Sequence, residues 1–208
     1  MNETTLLWIA NILSLIGNTV AAFAAFLKSK RTILLLQSSN HVLEIIAQSL
    51  TKAYSGVVQE VISLIRNVTF VFLKTTKKAP KIIISVLCLA AGLVVGVLFN
   101  IYFSDNVLYG YLPIAGAAIY AVFVILAFLL TTNELKSELY IKIGIVFNAL
   151  CWSTYGVFIK IYPIIVFNAI AFVLAVISLV RIGLTKRKQG TASDAPSSDA
   201  PASDPSER

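Results

Sequence analysis

The sequence predicts an all-α integral membrane protein with seven transmembrane helices, arranged as two parallel three-helix bundles joined by one linker helix. Three observations carry this reading. Of the 208 residues, 58% are hydrophobic and only 13% are charged, against roughly 25% charged in a soluble domain; mean hydropathy is +0.85. Apolar runs of about 18 residues or more, the length that crosses a bilayer, recur along the chain. The polar residues inside those runs fall at helical spacing rather than at random.

The first run lies within "MNETTLLWIANILSLIGNTVAAFAAFLKSKR". It lacks a basic leader and is long enough to span, so it reads as the first helix, residues 6–27, rather than a cleaved signal. Further spans are expected at 32–52, 56–73, 82–103, 107–130, 139–158 and 161–180. The connections "TKAYS" and "IKIY" leave almost nothing outside the membrane, so the helices they join must be antiparallel hairpins. The fourth span, "IIISVLCLAAGLVVGVLFNIYF", holds little polarity besides Asn100 and suits a linker. The chain thus divides into a first bundle (1–76), the linker helix (77–104), a second bundle (105–184) and a tail (185–208). The end of the tail, "TASDAPSSDAPASDPSER", has no apolar periodicity and cannot bury surface to offset ordering, so it is expected to be disordered.

Lys28, Lys30 and Arg31 follow the first span, Lys74, Lys77, Lys78 and Lys81 the third, and Arg181, Lys186, Arg187 and Lys188 the seventh. Basic loops mark the cytoplasmic side, which puts the N-terminus outside and the C-terminus inside; the acidic loop "NELKSE" runs against the trend. These clusters account for the net charge of +7 without a solvated basic face, so nucleic acid is not an expected partner. Cys88 and Cys151 sit in apolar runs with no CxxC or zinc spacing and read as small buried hydrophobes. No cofactor motif appears. The expected partners are the lipid bilayer and a small-molecule solute, and assembly as a homo-oligomer stays open.

Polar side chains in hydrocarbon are expensive, roughly 2.5–3.5 kcal/mol for Asp, Lys or Arg at a helix centre. They persist where they face a partner or a cavity. Gln37, His41, Glu44 and Gln48 fall within an arc of about 60° on the second span. Gln59, Ser63 and Arg66 do the same on the third, with Glu60 and Asn67 at the margin, and Asn11, Ser14 and Asn18 form a stripe on the first. Glu44 and Arg66 are at similar depth, and an ion pair between them would offset much of the burial cost of each. In the second bundle, Asn148, Trp152 and Tyr155 share a face at i, i+4, i+7, and Asn168 follows Pro163. Amides beside large aromatics make a pocket that hydrogen-bonds and stacks a polar solute without fixed charge; an interfacial aromatic belt is the alternative for such residues. Shifting residues 41–81 by 107 positions lays spans two and three on spans six and seven, with His41 on Asn148 and Gln48 on Tyr155, the layout of a parallel repeat.

The stretch "FNALCWSTYGVFIKIYPIIVFNAIAF" resembles the SWEET and semiSWEET sugar facilitators, with N…W…YG and a later Asn after a proline. The stretch "LLQSSNHVLEIIAQSLTKAYSGVVQEVISLIRN" resembles the bacterial inner membrane protein YgjV family through Gln37, His41, Ser55-Gly56 and Arg66-Asn67. The resemblance covers the chain to about Arg181. It implies two three-helix bundles with a small-molecule path between them in a bacterial inner membrane, and solute-binding roles for Asn148, Trp152 and Asn168. His41, Glu44 and Arg66 depart from the mostly neutral sugar carriers, which leaves room for an anionic solute or proton coupling.

The expected function is therefore passage of a small polar solute, such as a sugar or sugar acid, by alternating access. The candidate substrate-binding residues are Asn148, Trp152, Tyr155, Asn168, His41, Glu44, Gln48 and Arg66. A membrane sensor or scaffold is the alternative. An enzyme is not expected, because His41 and Glu44 at i, i+3 make at most half of a metal site.

Overall fold

A helix in hydrocarbon must satisfy its own backbone, and a chain this apolar has little choice but to be helical throughout. The computed structural model describes residues 2–24, 30–72, 78–103, 107–130 and 134–193. It consists of seven helices: α1 (Glu3–Ala24), α2 (Lys30–Leu50), α3 (Tyr54–Phe72), α4 (Lys78–Phe103), α5 (Tyr111–Leu130), α6 (Glu134–Ile159) and α7 (Tyr162–Ser193). A single 3₁₀ turn, Leu108–Gly110, leads into α5. Six of the helices are long and apolar enough to cross a membrane by composition alone. The exception is α2. It has 21 residues, about 30 Å at the α-helical rise, but Ser38, Glu44 and Gln48 lower its average hydropathy. Those three are buried in the protein, while Leu35, Val42 and Ile46 are exposed on the opposite side.

Two expectations change at helix ends. Residues 134–138, read as part of an acidic loop, are the first turn of α6. The last helix runs on to Ser193, so residues 185–193 of the expected tail are helical: an established helix propagates through residues such as Lys, Arg and Gln at little cost. The rest of that tail, 194–208, and the basic positions Lys28, Lys74 and Lys77 lie outside the described residues.

Packing is sequential. α2 lies between α1 and α3, and α6 lies between α5 and α7; α1 closes onto α7, α3 onto α5, and α4 packs against α3 and α5. Six helices therefore form a ring, with α4 outside it against the α3–α5 seam. Lipid supplies no hydrophobic drive between helices, so close approach and internal hydrogen bonds hold the ring together. Gln59 on α3 donates through Nε2 to the Gly92 carbonyl on α4 at 2.8 Å, and Asn100 Nδ2 donates to the Val107 carbonyl at 3.2 Å.

The two hairpins have the same construction. Lys52 and Lys160 hold φ of 58° and 59°. The residue after each donates back five positions, Ala53 to the Gln48 carbonyl at 2.9 Å and Ile161 to the Gly156 carbonyl at 3.2 Å. This is the Schellman ending, which satisfies carbonyls that the helix end orphans. Both lysines are exposed, and both following residues are buried. The equivalence is 108 residues, one more than the shift read from sequence, because the lysine in the left-handed position fixes the register and the surrounding side chains do not. Glycines repeat the pattern between the first and second helices of each half. A Cβ on Gly17 would meet Asn40 Oδ1 and Leu43 Cβ, and one on Gly116 would meet Asn148 Oδ1 and Cys151 Cβ; Asn40 and Leu43 are again 108 residues from Asn148 and Cys151.

At Gly116 the Cys151 Cβ would stand 2.9 Å from an added methyl, and a Cβ cannot swing aside, so α5 and α6 must separate. Gly116→Ala is expected to cost about 1–3 kcal/mol. Gly183→Ala, with nothing within 4 Å, is expected to be neutral or to gain up to about 1 kcal/mol from helix propensity. Thermal unfolding of the two variants in the same detergent compares them directly.

Candidate functional site

The ring encloses a cavity of about 200 Å³ to which every helix except α4 contributes. Its first-half wall holds Asn18, His41, Glu44, Glu60 and Arg66, and its second-half wall holds Asn148, Trp152 and Asn168. Six of the eight residues singled out in the sequence thus meet in one space. Gln48 and Tyr155 do not line it. They are completely buried at the hairpin end, where Gly56 leaves room for both side chains.

Helical spacing explains the first-half wall. Glu44 is 2% exposed, and burial at that level demands partners. Ser14 Oγ and Asn18 Nδ2, one turn apart on α1, each donate to its Oε1 at 2.5 Å, and Gln48 Nε2 donates to Oε2 at 3.3 Å. The expected Glu44–Arg66 ion pair is not made. The partner of an acid here is His41, whose Nδ1 lies 2.5 Å from Glu60 Oε2 across the α2–α3 interface. Spacing placed Glu60 at the edge of the polar face of α3 because that helix has two polar neighbourhoods. Gln59 turns to α4, Glu60 turns to α2, and the average direction describes neither. A rule that each buried charge must find a partner would have flagged Glu60, since His41 is the chain's one histidine.

The second-half wall has uncommitted groups. Asn168 Nδ2 donates to the Ile164 carbonyl at 2.8 Å, which leaves its amide oxygen without a partner. Trp152 is 8% exposed and meets Tyr155 edge to face at 5.8 Å. Asn40 and Asn148, Glu44 and Trp152, and Glu60 and Asn168 all line the cavity and are each 108 residues apart. Asn18 and Ala117, also in the lining, are 99 apart, as are Gly17 and Gly116.

The hairpin end of the cavity is closed from both sides. Tyr155 on α6 donates its hydroxyl to the Ala53 carbonyl in the α2–α3 hairpin at 3.2 Å, and its oxygen lies 3.4 Å from Ser55 Oγ. Asn11 on α1 donates to the Lys160 carbonyl at 3.1 Å and accepts from the Tyr162 N–H at 2.9 Å, both in the α6–α7 hairpin. Each half therefore grips the other's hairpin. Ala10, Ala47, Ala53, Trp152, Tyr155, Ile161 and Ile164 pack into one buried cluster at this end, with Tyr109 stacked on Phe158 at 5.0 Å beside it.

These features define a multi-pass helical membrane protein with a polar cavity enclosed by its spans. The model of the Imp-YgjV family of bacterial inner membrane proteins matches residues 8–186, and the chain belongs to that family. No curated protein and no solved structure matches it.

If His41 and Glu60 are true partners, exchanging them should keep the pair. His41→Glu and Glu60→His are each expected to cost about 1.5–3 kcal/mol, the worth of a charged hydrogen bond. The double exchange is expected to recover most of that loss in thermal unfolding. The corresponding Glu44→Arg, Arg66→Glu double variant is expected to recover nothing.

Proposed function

We propose that this protein passes a small polar solute across the bacterial inner membrane by alternating access. In this reading α1–α3 and α5–α7 are two like-oriented bundles that rock about the central cavity, α4 is the linker between them, and α2 is the seventh span. The observation that carries the proposal is the cavity itself, walled by polar groups from both halves and closed at the hairpin end. Solute sites of repeat-built transporters lie near the midplane at the interface between repeats. The shared hairpin geometry and the glycine–asparagine contacts, each recurring at a fixed separation, support the repeat. The closing hydrogen bonds of Tyr155 and Asn11 can be exchanged for water at an opened end, while parting the buried cluster around Tyr155, Ile161 and Ile164 sets the main cost of opening.

The N-terminus is placed outside by the basic clusters, which makes the closed hairpin end the periplasmic one. Asn148, Asn168 and Trp152 are the recognition groups: two amides for hydroxyls or carbonyls and one ring face for stacking. Gln48 and Tyr155 act as packing at the gate rather than as solute ligands. Histidine is the side chain whose charge changes near neutral pH, and His41 has Glu60 on α3 as its contact, with Glu44 and Arg66 facing the same cavity. This arrangement suits proton coupling through the His41–Glu60 pair.

The test is flux in proteoliposomes after a thermal-shift screen of sugars, sugar acids, vitamins and nucleosides. For a solute found this way, Asn168→Ala is expected to lower flux roughly tenfold, the equivalent of about 1.4 kcal/mol of lost contact, with little change in unfolding temperature. No stabilisation and no flux across the panel would overturn the reading. Flux of the wild type is expected to vary with pH, and His41→Gln and Glu60→Gln are each expected to flatten that profile. A profile unchanged by both substitutions removes the coupling and leaves facilitated passage.

A further inference from the structure

A second space of about 270 Å³ lies under α4, against the α3–α5 seam. It shares Ser63, Arg66, Ala117 and Tyr120 with the central cavity, so Arg66 stands on the boundary between the two. The two spaces differ in charge. The central cavity contains Glu44 and Glu60, whereas the described residues that line the space under α4 include no carboxylate and, as a charged group, Arg66 alone. Around it are the neutral hydrogen-bonding side chains of Gln37, Ser63, Asn67, Ser85 and Tyr120.

Arg66 is half-buried and makes no hydrogen bond or ion pair among the described residues. The carboxylates that line the central cavity with it are committed elsewhere, Glu44 to Ser14, Asn18 and Gln48, and Glu60 to His41. Arg66 lines the space under α4 as well as the central cavity. An arginine at membrane depth is costly and marks a functional site by default, and its planar fork suits a carboxylate or phosphate.

We infer that the space between α3, α4 and α5 is a binding site for an anionic group, a carboxylate or phosphate, held by Arg66 with neutral donors around it. The group belongs either to a soluble anion such as a sugar acid or to the headgroup of an acidic phospholipid. The site stands independently of the transport reading, because it concerns binding and not passage.

Cys88 lines this space and Cys151 does not, which supplies the readout. The Cys151→Ser protein is reconstituted in phosphatidylcholine vesicles, and the rate at which a small maleimide labels Cys88 is followed. Glucuronate or inorganic phosphate is expected to slow labelling roughly tenfold at about ten times its half-saturating concentration, and glucose is expected not to. Arg66→Gln should abolish the protection and Arg66→Lys should retain part of it, since it keeps the charge and loses the fork. Protection that appears only when phosphatidylglycerol is included identifies the ligand as a lipid headgroup. Labelling that no anion or acidic lipid slows overturns the site, as does protection that persists in Arg66→Gln. Should Arg66→Gln fail to assemble, the comparison of glucuronate with glucose on the wild-type arginine decides alone. Because no flux is measured, failure here and failure of the transport reading are separate results.

Discussion

The polar face of α2 is the constraint on which the structure depends. A helix carrying Ser38, His41, Glu44 and Gln48 can stand at membrane depth only if other helices enclose that face. Enclosure takes α1 on one side, where Ser14 and Asn18 supply donors to Glu44, and α3 on the other, where Glu60 meets His41. With α2 flanked in this way, its remaining surface of Leu35, Val42 and Ile46 is left for lipid. The polar groups that neither neighbour satisfies look inward, and the second half has to close the ring around them. The cavity is thus a consequence of burying charge as much as a feature added to the fold.

The same construction occurs in the other half with different chemistry. Where the first half has Glu44 and Glu60, the second has Trp152 and Asn168, and both have an asparagine one turn earlier on the second helix. The hairpin ends show a complementary exchange. Gln48 fills the space left by Gly56, while at the equivalent positions Gly156 leaves space for Ile164. A large and a small residue have traded places at a contact of the same geometry, so packing volume is kept while polarity is lost. The second half closes this contact with an isoleucine where the first uses an amide. Its cavity face is then free to offer amides and an indole.

Most of the fold was legible in the sequence, because span length and helical spacing are strong signals in an apolar chain. Helix order, the hairpins at "TKAYS" and "IKIY", and the inward polar stripe of α2 all follow from composition and a 100° step. Partner choice was not legible. Depth along the sequence matched Glu44 to Arg66, but depth says nothing about azimuth, and α3 turns Glu60 to α2 and leaves Arg66 between the central cavity and the space under α4. Gln48 and Tyr155 were grouped with the cavity for a related reason: they share its face by spacing, yet they sit a turn nearer the hairpin, where the helices have already closed. The equivalence of the hairpins differs by one residue from the shift read in the sequence because side-chain character was matched there, and what the two hairpins share is backbone geometry.

The distribution of charge follows from this division of labour. Among the described residues that line the central cavity, the first half carries the carboxylates and the arginine, and the second carries neither. If both halves bound the solute in the same way, the equivalent positions would be free to keep the same residues, as Asn40 and Asn148 do. The pairs that differ are the ones where the first half pays for ionic groups at membrane depth, a cost that neutral residues at those positions would remove. In the transport reading proposed above, ionic groups on one side only suit a change of charge state or partner while the neutral side holds the solute. Arg66, placed on the boundary of two spaces and bonded in neither, is the residue of that half best positioned to move between them.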